Sequence, residues 1–146
     1  RDLSIEVPQG LALARERMVT FLKELPSQLP IDYKKTVIGG FSQGAMLTCD
    51  AVLQTDYPFV GLVQLSGNLL AQAVWGPLMP RRKGLPVFQS HGTQDDVLPN
   101  IGAERLRDAL TQAGLAVEWR SVRGGHAIPE AVLRRLGPFI TKRLGG

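Results

Sequence analysis

Apolar side chains recur along the chain in two rhythms, short continuous runs and longer stretches at three- and four-residue spacing, and their order predicts strands alternating with helices. From about Leu11 to Leu25, the residues Leu11, Ala14, Met18, Phe21, Leu22 and Leu25 follow helical spacing. This amphipathic helix should stop before Pro26, with an exit loop to Asp32. Thr36 to Gly40 then reads as a buried strand, Gln43 to about Gln54 as a helix, and Val60 to Leu65 as a second strand ending at Ser66-Gly67. Pro86 to Ser90 is a third strand. A helix follows it, with Asn100 as its cap, Ile101, Leu106 and Leu110 on its apolar side and Gly114 as its stop. Leu115 to Val122 alternates as a fourth strand, and after a loop Pro129 opens a last helix to about Leu144. Between the second and third strands, Asn68 to Gly84 keeps no period and carries Gly76, Pro77, Pro80 and Gly84, which predicts a long irregular connection.

Short apolar strands alternating with helices imply an α/β fold, a mostly parallel sheet with helices on both faces. At 146 residues and 44% hydrophobic side chains, one globular domain is expected. The net charge of +4 is spread over short clusters (Arg81-Arg82-Lys83, Arg134-Arg135, Lys142-Arg143) without interleaved aromatics, so these read as solvated faces and no nucleic-acid partner is expected. The single cysteine, Cys49, precludes an internal disulfide and suits a reducing, cytoplasmic setting as a buried small hydrophobe. No apolar run reaches the roughly 18 residues of a membrane span, so stable insertion is not expected.

Chemistry concentrates at the ends of the predicted strands. Gly40-Phe41-Ser42-Gln43-Gly44 places G-x-S-x-G between a strand and a helix, the context of a nucleophile elbow. A serine hydroxyl needs to be lifted out of the packing and aimed at a base, and Gly40 and Gly44 are expected to let neighbouring backbones pass close enough for that turn. The N–H of Gln43, at the start of the following helix, would face a developing oxyanion. The chain has two histidines. His126 lies in a Gly-Gly-His loop after the last strand and is the expected base, whereas His91, at the end of the third strand, is expected to orient the acidic loop that follows it. That loop offers Asp95 or Asp96 as the acceptor that fixes the imidazole. The order serine, acid, histidine is the chain order of α/β-hydrolases.

With these pieces in place, the sequence resembles the phospholipase/carboxylesterase group of serine α/β-hydrolases, which includes the acyl-protein thioesterases. The resemblance rests on Gly39-Gly40-Phe41-Ser42-Gln43-Gly44-Ala45, Leu65-Ser66-Gly67, His91-Gly92 followed by Asp95 and Pro99, and Gly125-His126, and it runs from the first helix to the end of the chain. It implies an α/β-hydrolase fold, a Ser42 nucleophile, a His126 base, an Asp95 orienter and the Gln43 N–H as one oxyanion donor. It also implies carboxylic ester or thioester substrates, with neither metal nor organic cofactor.

Two positions depart from the family pattern. Asp95-Asp96 stands where the family usually has Asp-Pro; spacing from His91-Gly92 favours Asp95. Family members also carry additional N-terminal strands and a loop that supplies a second oxyanion N–H, which residues 1–146 do not match. The chain is therefore expected to be a single domain, the C-terminal two-thirds of the family domain, whose edge strand from Thr36 to Gly40 pairs either with its own N-terminal part or with a second copy. Leu69, Leu70, Val74, Trp75, Leu78 and Met79 are expected to line an apolar acyl site. Two other functions compete. A nucleotide-binding module is disfavoured because there is no G-x-G-x-x-G and no Lys-Ser/Thr after Gly44. A non-catalytic interaction domain that merely retains the three residues is the other alternative.

Overall fold

Gly61–Leu65 and Pro86–Gly92 are buried almost without interruption, polar Gln64, Gln89, Ser90 and His91 included, which marks strands covered on both faces. In the computed structural model of the chain, which describes residues 8–145, these are β2 and β3, central in a four-stranded sheet. β1 (Val37–Phe41) and β4 (Ala116–Val122) flank them in the order β1-β2-β3-β4, and every pair is parallel. Helix α1 (Leu11–Gln28) precedes β1, α2 (Gln43–Gln54), α3 (Gln72–Leu78) and α4 (Asn100–Gln112) fill the connections, and α5 (Glu130–Arg143) follows β4.

Side chains of successive strand residues point to opposite faces, and the core divides accordingly. Leu62 and Val87 join a large cluster with residues of α1 to α4, whereas Val63, Leu65 and Phe88 meet Val132 and Phe139 of α5 on the other side. Helices thus cover both faces, as the alternation predicted. No described helix is long and apolar enough to cross a membrane.

Two elements differ from expectation. α1 does not stop before Pro26 but runs through it to Gln28. Proline lacks the N–H that would bond four residues back, at the carbonyl of Leu22. The Tyr33 hydroxyl donates to that carbonyl instead, so the break in the helical ladder is satisfied from a neighbouring segment. The region expected to be irregular, 68–84, contains α3 and a 3₁₀ turn at Met79–Arg82. The lack of a helical stripe has a simple cause: within α3 only Trp75 is buried. Trp75 is fully buried, with Nε1 donating to Asp50 Oδ1 at 2.9 Å, and its burial is worth about 3 kcal/mol or more.

The topology puts the C-terminal ends of β1, β3 and β4 on one rim, where open α/β sheets present their sites. β1 pairs only with β2 among the described residues, and a groove of about 500 Å³ lined by Val37, Phe41, Val63, Leu65, Leu136 and Ile140 lies between these two strands and α5.

Candidate active site

β1 ends at Phe41 and α2 begins at Gln43, so Ser42 alone makes the turn between them. Its backbone sits at φ 57°, ψ −120°, a conformation costing of order 1–3 kcal/mol in a residue with a Cβ. The Ser42 N–H donates to Leu65 O at 2.8 Å, which carries the β1–β2 ladder one step past the strand and anchors the turn. Gly40 is required by space: a Cβ there would lie 2.4 Å from the carbonyl carbon of Gly44. The same is not true of Gly44, where a Cβ would meet nothing within 4 Å. The expectation that both glycines yield room is therefore corrected; Gly44 contributes the backbone that Gly40 lets in.

The three residues singled out from separate strand ends come together. His126 Nε2 lies 2.8 Å from Ser42 Oγ, and His126 Nδ1 lies 2.7 Å from Asp95 Oδ2. A carboxylate only accepts, so Nδ1 carries the proton and Nε2 presents a lone pair to the serine hydroxyl. Phe41 packs against the imidazole with ring centroids 4.8 Å apart, which limits its swing.

Asp95, rather than its neighbour, occupies the acid position. Its side chain is fully enclosed, whereas Asp96 is exposed. Asp95 Oδ1 accepts from the backbone N–H groups of Val97 (2.9 Å) and Leu98 (2.8 Å), leaving Oδ2 for the imidazole. Burial alone would raise its pKa, but the donors at Leu98, His126 and Val97 and the attraction of His126 outweigh it and hold the carboxyl below its ordinary value. The group is therefore charged at neutral pH.

One structural support escaped the sequence reading. A Cβ on Gly92 would lie 2.3 Å from Gly125 O and 2.4 Å from Gly124 O, so β3 and the histidine loop touch through backbone alone. Gln94 N–H donates to Gly124 O and Thr93 N–H to Val122 O, both at 2.8 Å, tying the acid loop to the histidine loop. The only trace in the sequence was the pairing of Gly92 with Gly124-Gly125, glycines distant in the chain. Gln43 opens α2, so its N–H has no acceptor within the helix.

Comparison with known proteins covers nearly the whole chain. The family model described as Phospholipase/Carboxylesterase matches residues 9–144. The chain belongs to the phospholipase/carboxylesterase family. Within it, the chain is 35% identical to acyl-protein thioesterase 1 of Kluyveromyces lactis, over 98% of this chain and 64% of that protein. With acyl-protein thioesterase 1 of Neurospora crassa it shares 32% identity over 84% of this chain and 51% of that protein. Among solved structures, acyl-protein thioesterase 2 of Zea mays superposes with a TM-score of 0.81 at 25% identity, covering 99% of this chain and 71% of that one. The chain thus spans about half to two-thirds of the length of these curated relatives.

The residues expected to line an acyl site behave differently from the three at the rim. Leu69, Leu70, Trp75 and Met79 are buried in the larger core cluster, Leu78 packs against it, and Val74 is partly exposed. Leu69, Trp75 and Met79 are core side chains and Leu78 lies at the edge of the core. Leu70 alone of this group also borders the cavity beside the elbow, which holds about 640 Å³ and is lined further by Leu11, Ala14, Gln43, Gly44, Met46 and Leu47.

Proposed function

We propose that the chain carries the catalytic machinery of a serine hydrolase that cleaves carboxylic ester or thioester bonds. Ser42 Oγ attacks the acyl carbonyl carbon while His126 Nε2 takes the hydroxyl proton, and Asp95 stabilises the imidazolium so formed. The oxyanion is received by the Gln43 N–H. As the tetrahedral intermediate collapses, His126 returns the proton to the departing alcohol oxygen or thiol sulfur, leaving an acyl ester on Ser42. Water then attacks that ester with His126 again as base, and the acid and free serine are released.

The observation that carries this reading is the continuous hydrogen-bonded line from Ser42 through His126 to Asp95. The thioester half of the substrate class is supported by relatives named acyl-protein thioesterases, the ester half by the family description. The apolar cavity beside Gln43 is the proposed acyl site, with Leu70 as the lining residue retained from the sequence expectation. A reducing compartment, the cytoplasm, suits the lone Cys49, whose burial in α2 pushes its thiol pKa well up and leaves it unreactive. The side of β1 that pairs with no strand among the described residues is read as the seat of further polypeptide, either an N-terminal part of the domain or a second copy of the chain.

A fluorophosphonate probe followed by peptide mapping tests the core of the proposal. Covalent labelling confined to Ser42, together with turnover of p-nitrophenyl esters and of an S-acyl peptide, is the expected result. A folded protein that neither labels nor turns over either substrate would overturn it in favour of a non-catalytic domain. A series of acyl-chain lengths, compared between the parent and Leu47→Trp, locates the acyl site: filling the cavity should shift preference towards shorter chains.

A further inference from the structure

His91 is fully buried at the end of β3 and does not reach Ser42, yet it is built into the acid side of the site. Its Nε2 lies 2.6 Å from Leu98 O and 3.3 Å from Asp95 Oδ2. A carbonyl only accepts, so Nε2 carries the hydrogen and donates it to Leu98 O, with Asp95 Oδ2 close beside it. Nδ1, on the other side of the ring, has no partner in the buried interior, so the donor role falls to Nε2 alone.

Leu98 is held at both of its backbone polar groups. Its carbonyl accepts from His91, and its N–H donates to Asp95 Oδ1. One side chain therefore lies against Asp95 Oδ2 and, through Leu98, holds the backbone that donates to Oδ1. The next residue, Gly92, packs its bare α-carbon on the carbonyls of Gly124 and Gly125 and so seats the loop that carries His126.

We infer that His91 is a positioning residue for Asp95, acting as an obligatory Nε2–H donor, and that with Gly92 it sets the separation of acid and base. This inference rests on the proposed hydrolase reading for its kinetic consequence but not for its structural one. Removing the donor leaves Leu98 O without its partner and frees Asp95 to rotate away from His126 Nδ1. Because a displacement of about 1 Å in catalytic geometry can cost on the order of 10²-fold in rate, the loss should appear in kcat with little change in KM.

The experiment compares His91→Leu, His91→Gln and His91→Asn in the full chain. Glutamine can place its amide N–H near the position of Nε2, whereas asparagine is one methylene too short. Expected for His91→Leu and His91→Asn are a loss of about 10²-fold in kcat and in the rate of fluorophosphonate labelling, with KM within about twofold; glutamine should restore most of it. A merely structural role would reduce labelling by the same factor in an Asp95→Asn background. Action through Asp95 makes the His91 effect vanish there.

A second readout does not need activity. The His126 Nδ1 proton, bonded to Asp95, should give a far-downfield proton resonance that is present in the parent and His91→Gln and lost or strongly broadened in His91→Asn. Should His91→Leu fail to fold, the glutamine and asparagine pair decides the matter. Unchanged resonance and unchanged labelling in His91→Asn would overturn the inference. A parent that shows the resonance but never labels would refute the hydrolase reading while leaving the positioning of Asp95 to be judged by the resonance alone.

Discussion

Replacing Asp95 by asparagine removes one charge and reverses one hydrogen-bonding end. Oδ1 of the native carboxylate is committed to the N–H groups of Val97 and Leu98, so the asparagine carbonyl will keep that place and turn its NH2 group towards His126. An NH2 facing an Nδ1–H is donor against donor. The imidazole escapes by moving its proton to Nε2, where it faces Ser42 Oγ and can no longer accept the hydroxyl proton. Loss of an orienting carboxylate with this tautomer change costs about 10⁴-fold in kcat, or about 5.4 kcal/mol of transition-state stabilisation. Hydrolysis of a p-nitrophenyl ester at neutral pH, with thermal unfolding as a control, measures it. Asp96→Asn, at an exposed position beside it, should leave kcat within about twofold. The pH dependence of stability carries a sign that can be checked separately. Because the folded-state pKa of Asp95 is depressed, its stabilisation is fully present above the unfolded value and is lost as pH falls through the folded one. The Tm gap between parent and Asp95→Asn should therefore hold constant down to the ordinary carboxylate value of 3.8 and close only below it. A loss of less than tenfold in Asp95→Asn, or an equal loss in Asp96→Asn, would refute the assignment and the tautomer argument together.

Three further outcomes follow from the local geometry. Ser42→Ala and Ser42→Gly should both abolish turnover with the far-UV spectrum unchanged, and the glycine variant should be the more stable by about 1 kcal/mol, because only glycine accepts φ 57°, ψ −120° without strain. Gly40→Ala should cost about 3 kcal/mol of stability in denaturant titration, as its Cβ meets the backbone of Gly44, whereas Gly44→Ala should fold as well as the parent. Trp75→Phe should lower stability by about 2 kcal/mol, by leaving Asp50 Oδ1 without its donor, and leave kcat/KM for an acetyl ester unchanged; a change in acyl preference instead would return Trp75 to the acyl site.

What the amino-acid pattern determined was the succession of elements and the chemistry at their ends. Period and punctuation are local properties, so β1 to β4, α2, α4 and α5 were legible to within a residue or two, as was the coincidence of Ser42, the Asp95-Asp96 pair and His126 with strand termini. Only the tertiary structure decided matters that depend on what lies across a gap in the chain. It chose Asp95 over Asp96 because one is enclosed by the N–H groups of Val97 and Leu98 and the other faces solvent. It carried α1 through Pro26 because Tyr33, outside the helix, could satisfy the carbonyl of Leu22. It folded 68–84 into α3 and turned Trp75 inward because Asp50, itself bound to Arg15 at 2.7 Å, offered the indole an acceptor. And it made glycine necessary at Gly40 and Gly92 but not at Gly44, a distinction that rests on the distance to another stretch of backbone and so cannot be read from the glycines themselves.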